Sequence, residues 1–79
     1  MPKVAADPLL RALGDVIRER RKELRLPQSE VGGVSRVWLQ RIEAATASPS
    51  VQSLALIATA LDTTGSALLA EAERRVQER

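Results

Sequence analysis

One stretch, residues 33–43, carries residue types at a spacing that can do chemistry: G-V-S-R-V-W-L-Q-R-I-E. Ser35 is a good N-cap residue ahead of a run with helical periodicity. On a helix, Trp38, Leu39 and Ile42 fall on one side, and Arg36, Val37, Gln40 and Arg41 on the other. The spacing predicts a short helix with an apolar back and an outer face bearing two guanidinium groups and an amide. Such groups make bidentate hydrogen bonds to base edges in the major groove of DNA. Arg and Gln are also ordinary surface residues, and for this stretch alone a solvated helix face is the plainer account. The neighbouring segments reverse that preference.

What the chain lacks narrows the chemistry. At 79 residues it is one small domain with a limited core. With 44% hydrophobic and 28% charged residues it is globular rather than disordered. Trp38 is the single aromatic residue, so the core must be Leu, Ile, Val and Ala, which suits helix on helix. There is no cysteine and no histidine. A disulfide framework and a thiolate metal site are excluded, and nucleophilic catalysis lacks its usual base. No enzyme, no cofactor and no metal are therefore expected. No apolar run reaches membrane-spanning length and no signal-peptide core is present, so a cytoplasmic protein with no membrane partner is expected. The net charge is only +2, but residues 1–43 carry nine Lys or Arg against six acids, and residues 44–79 three against four. The basic half contains the opening stretch, as expected of a surface that meets a polyanion.

The elements that must position residues 33–43 follow from periodicity and punctuation. Residues 1–7 read as a flexible arm, with Asp7 a plausible N-cap and Pro8 suited to a first helical turn. Lys3 on that arm is a candidate phosphate contact. Residues 9–24 form a first helix with Leu10, Leu13, Ile17 and Leu24 on one stripe. Arg20 interrupts the stripe, its stem expected to pack while its head reaches water. Pro27 opens a very short second helix over residues 28–31, cut off by Gly32-Gly33. The opening stretch is the third helix. Ser50 caps a fourth, in which Leu54, Ile57, Ala58 and Leu61 keep helical spacing. Thr64 precedes a fifth, from Ala67, with Leu68, Leu69, Ala72 and Val76 on one stripe. The expected fold is all-α, a compact five-helix bundle with the second helix shortened. Residues 8–70 form the domain, and residues 71–79 a charged helical extension or tail.

In this order the segments resemble a known family. L-G-D-V-I-R-E-R-R-K-E-L-R-L-P-Q (residues 13–28) resembles the opening of the phage-repressor-like, Xre or Cro, helix-turn-helix family. G-V-S…I-E (residues 33–43) is similar to its turn and recognition helix. P-S-V-Q-S-L-A-L-I-A-T-A-L (residues 49–61) and S-A-L-L (residues 66–69) are similar to its fourth and fifth helices. The likeness implies a DNA-binding domain, usually dimeric, that regulates transcription. A compact repressor or a restriction–modification controller-type protein is the implied kind. Double-stranded DNA and a second copy of the chain are the implied partners. By position, Ser35, Arg36, Val37 and Arg41 fall where the family meets bases or nearby phosphates, and Gln28 where it meets a phosphate. Gln40, on the same outer face, is expected at phosphate too. Arg21 and Glu43 match an ion pair joining first and third helices, a structural role rather than a chemical one. Leu68, Leu69, Ala72 and Val76 are the expected dimer interface, unless Leu68 and Leu69 simply complete the protomer's core.

The departures from the family pattern surround the reading element. Only Gly32 lies between Val31 and Gly33, where the family carries a four-residue stretch. The loss shortens the second helix by about 4.5 Å, most of a turn. Arg25 stands where a helix-ending Gly is usual, and Pro27 replaces a Ser cap. The loop at residues 44–48 lacks the Gly and the basic or amide residues that often meet phosphate. Two functions follow. The first is a sequence-specific, homodimeric DNA-binding transcriptional regulator that reads DNA through residues 35–44. The second is a helix-turn-helix-shaped protein-interaction module, antitoxin-like or an anti-regulator, with weak or no DNA binding.

Overall fold

Capping residues and Pro punctuation set the helix starts. In the computed structural model, which describes residues 7–78, each of four α-helices opens on a side chain that accepts from the first turn. Asp7 accepts from the Leu10 amide (3.0 Å) at α1, Pro8–Glu23. Ser35 accepts from Trp38 (3.1 Å) at α2, Arg36–Glu43. Ser50 accepts from Ser53 (3.0 Å) at α3, Val51–Ala60. Thr64 accepts from Ala67 (3.1 Å) at α4, Gly65–Gln77. Each cap satisfies a donor that has no partner inside its helix. Lys3 and the arm expected before Asp7 lie outside the described residues.

Among the described residues the bundle has four α-helices, not the five expected. The expected second helix is a single 3-10 turn, Gln28–Glu30, closed by bonds from Glu30 to Pro27 (3.0 Å) and from Val31 to Gln28 (3.3 Å). Between Pro27 and the Gly pair there are too few residues to offset helix nucleation, so the chain stops at one tight turn. Gly33 then takes a positive φ of 88° that ends any helical path. Val31 keeps the apolar function of the missing helix, at 1% exposure in the core. No strand occurs among the described residues. The last helix begins at Gly65, two residues before the expected start, and carries the charged segment beyond residue 70 as continuous helix through Gln77.

Helices α1, α2 and α3 end alike. The residue after the cap is left-handed in each, Arg25 (φ 58°), Ala45 (φ 61°) and Asp62 (φ 58°). At each end two amides reach back to the last turn, for example Leu26 to Arg21 and Arg25 to Lys22, both 3.0 Å. This double closure normally uses Gly, since an L side chain is disfavoured there.

Helix α1 lies along α4, α2 crosses α1, and α3 packs on α4 around Ile17, Leu39, Ile42, Ile57 and Leu61, all fully buried. The α1–α2 crossing is set by Gly14. A Cβ there would lie 2.7 Å from the Ile42 carbonyl oxygen and 2.8 Å from that of Glu43. Two arginines of α1 and α4 hold the rest. Arg20, expected to reach water, instead donates from Nε to the Leu61 carbonyl (3.0 Å) and from Nη2 to that of Asp62 (3.2 Å), at the carbonyl-rich end of α3. Arg75 of α4 grips Glu19 of α1 through both terminal nitrogens (3.1 and 2.8 Å) and Glu71 through Nε (3.0 Å).

Gly14→Ala gains about 0.5–1 kcal/mol of helix propensity but meets backbone that has no rotamer to yield. The clash wins, with an expected net loss of about 2 kcal/mol in urea unfolding. Gly32→Ala, with no atom near the added methyl, serves as the near-neutral control. Hydrogen bonding from Arg75 holds the Glu19 carboxyl below its ordinary 4.5, and Arg74, then Arg75, does the same for Glu71. A carboxylate depressed in the fold stabilises it above the unfolded pKa, and that contribution drains as pH falls through the folded value. The Tm gap between parent and Glu19→Gln is therefore expected to be widest near neutral pH and to close in acid. A gap that persists in acid would assign the contact to packing instead of charge.

Candidate nucleic-acid interface

Helix α2 is short, and its eight residues divide cleanly by burial. Leu39 and Ile42 are fully buried and Trp38 is half-buried against the core. Arg36, Val37, Gln40 and Arg41 are exposed, Val37 at 59%, and so is the capping residue Ser35. The outer face expected from periodicity is thus the face the fold leaves uncovered.

Helix α2 is fixed in place by one carboxylate. Glu43, 6% exposed, accepts from Arg21 Nε (2.7 Å) and Nη2 (3.0 Å) and from the Gln28 amide nitrogen (3.1 Å). Arg21 also donates from Nη1 to the Leu26 carbonyl (2.9 Å). Helix α1, its closing turn, the 3-10 turn and α2 therefore share one hydrogen-bonded knot. The hydrogen bond to Glu43 raises the Arg21 pKa further, so the guanidinium stays charged. Gln28, expected at phosphate, is turned inward, although its amide nitrogen has a second hydrogen to offer. A groove lined by Arg21, Pro27, Gln28, Ser29 and Arg36 separates the 3-10 turn from the start of α2.

Charge pairing shows which cations remain available. Arg18 pairs with Asp15, Arg20 caps α3, Arg21 holds Glu43, and Arg74 and Arg75 hold Glu71, Glu78 and Glu19. Among the described residues Lys22, Arg25, Arg36 and Arg41 make no ion pair, and all four lie between the end of α1 and the end of α2. The exposed carboxylate of Glu30 shares that segment. Of these four exposed cations, Arg36 and Arg41 stand on the outer face of α2, and Lys22 and Arg25 at the end of α1.

Two of the four residues expected to join two copies lie in the protomer's own core. Leu68 (3% exposed) and Ala72 (0%) are core residues of the protomer, because α4 turns that side onto α1 and α3. Leu69 and Val76 are partly buried against the same core. No group of acidic residues able to hold a metal occurs among the described residues, and no single helix is long and apolar enough to cross a membrane. The positioning roles of Gly14 and Arg20 went unread in the sequence, although both carried a signal. A Gly inside a helical run and an Arg inside an apolar stripe each ask for a partner backbone.

Glu43→Ala leaves a nearly buried guanidinium without its counter-charge. A loss of about 3 kcal/mol is expected in urea unfolding. Replacing both partners, Arg21→Met with Glu43→Leu, is expected to recover most of it. Full stability in Glu43→Ala would show that the knot anchors nothing.

Comparison with known proteins places these features. Nothing matches the chain among curated proteins or among solved structures. A family model described as helix-turn-helix matches residues 17–68, from the middle of α1 to the first turns of α4. That span holds the knot, the 3-10 turn and all of α2, and it covers well over half of the sequence. The chain belongs to the Xre/Cro-type, phage-repressor-like helix-turn-helix family.

Proposed function

We propose that this chain is a sequence-specific DNA-binding transcriptional regulator that works as a homodimer, each protomer laying α2 in the major groove. The observation that carries the reading is the exposed, unpaired state of Arg36 and Arg41 on a helix whose opposite side is locked into the core. Affinity and register come from phosphate contacts, and sequence discrimination from base edges. The unsatisfied amides at the start of α2, the second hydrogen of the Gln28 amide and the Gln40 amide suit phosphate oxygens. Ser35, the exposed cap of α2, suits a base or phosphate contact. Arg36 and Arg41 suit guanine, at about 1–3 kcal/mol of discrimination each, and the Val37 methyls suit thymine. Two copies related by a two-fold axis present their helices to half-sites about 34 Å apart. Leu69 and Val76 are the members of the expected dimer stripe that keep some surface for a second copy. In this reading the chain catalyses nothing and meets its DNA in the cytoplasm. The lack of His and Cys supports the first point.

One observation favours the protein-binding alternative. The helix that in the family braces the reading helix is here a single 3-10 turn. The knot at Glu43 and the buried Val31 do the bracing in its place, which keeps the DNA reading ahead.

Selection of bound duplexes from a random pool, followed by a salt series on the selected site, tests the proposal. A palindromic site is expected, with log affinity falling linearly against log salt. Arg36→Ala is expected to cost about 1–3 kcal/mol and to relax preference at one base pair in each half-site. No duplex bound at low salt, or an Arg36→Ala chain that binds as the parent does, overturns it and leaves the protein-binding module.

A further inference from the structure

Among the described residues three other than glycine sit in left-handed backbone, and two of them have a reason within the fold. Ala45 is small and buried. Asp62 is of a type that tolerates this region, and its carbonyl accepts from Arg20 Nη2 (3.2 Å). Arg25 has neither reason. It is exposed, its side chain makes no hydrogen bond or ion pair among the described residues, and Arg is not favoured in this conformation. Gly or Asn would close α1 with less strain. A disfavoured backbone held under a long cation with no partner among the described residues points to a partner outside the protomer.

The position of this corner is not loose. The closing bonds from Leu26 to Arg21 and from Arg25 to Lys22 fix the turn itself. The next residue's carbonyl, that of Leu26, is held by the same Arg21 guanidinium that grips Glu43 on α2. Gln28, three residues on, bonds to that carboxylate too, and it shares a groove with Arg36. Arg25 therefore projects from backbone tied directly to the reading helix. Its guanidinium presents a planar fork of donors, the geometry that matches two phosphate oxygens.

We infer that Arg25 grips a backbone phosphate of the DNA bound by α2, clamping the duplex from the end of α1. The inference rests on the proposed DNA-binding function and adds to it a residue that reads no base but sets register. It also accounts for an arginine at a turn that chemistry would give to glycine. The clamp has no covalent step. One guanidinium replaces the counterions condensed on one phosphate, and their release makes the contact salt-dependent.

The test uses the full chain and the duplex that the parent selects from a random pool. Arg25→Gly relieves the left-handed strain, so its Tm is expected to rise by a few degrees. Its affinity is expected to fall about eightfold per protomer near 0.1 M salt, roughly sixtyfold for the dimer, with the slope of log affinity against log salt shallower by about 0.9 per protomer. Its base preference is expected to match the parent's. Arg25→Lys keeps the charge and is expected to keep the slope. A stabilised Arg25→Gly chain that binds with the parent's affinity and slope overturns the clamp and leaves the DNA reading intact. A changed base preference overturns the assignment to phosphate. A parent that binds no duplex overturns this inference and the proposed function together.

Discussion

The carboxylate of Glu43 is where this small fold is decided. It lies at the end of α2, is almost wholly removed from water, and takes three hydrogen bonds from two side chains that come from different elements. A buried carboxylate is tolerable only when its charge and its lone pairs are answered, and here both are. The constraint runs outward from it. Arg21 must leave α1 at the last full turn, the chain must return through Leu26 so that its carbonyl meets the same guanidinium, and Gln28 must sit within reach. Gly14 completes the arrangement from the other side, since only a residue without a Cβ lets α1 rest on the carbonyls of Ile42 and Glu43. The angle of α2, and so the direction of its outer face, follows from a polar grip at one point and a steric limit at another.

Such a grip matters more in this chain than in a helix-turn-helix with a full second helix. A second helix of ordinary length would brace α2 by packing along it. Here a 3-10 turn offers little area, and only Val31 enters the core from that segment. Positioning has moved from apolar packing to a hydrogen-bonded pair, which is directional and tolerates little displacement. Gly33 adds a second constraint, because its positive φ turns the chain into Ser35 while a Cβ at that position would strike Leu56 of α3.

What could be read from the sequence divides by range. The faces of α2 were legible because a period of 3.6 sorts eight residues without reference to anything distant. The four N-caps were legible for the same reason, each depending on residues three apart. The Arg21–Glu43 pair came from family resemblance and not from periodicity. Contacts between elements left no such trace. Arg20's place in an apolar stripe asks for a partner without saying that it is the end of α3, and nothing local announces that Arg75 crosses to Glu19, 56 residues away. The stripe on α4 shows the limit differently. Leu68 and Ala72 repeat at helical spacing whether they face their own core or a second copy, and only the packing against α1 and α3 separates the two. The shortening of the second helix is visible in the sequence, but not that three residues hold only a 3-10 turn.

Trp38 has one more property than its half-buried place on the inner side of α2 suggests. No tyrosine or phenylalanine accompanies it. The near-ultraviolet emission of the whole molecule thus originates on the back of the segment whose front is turned to solvent. Any event that shifts this helix against its neighbours changes the colour or yield of that light, while motion confined to other parts of the bundle stays dark.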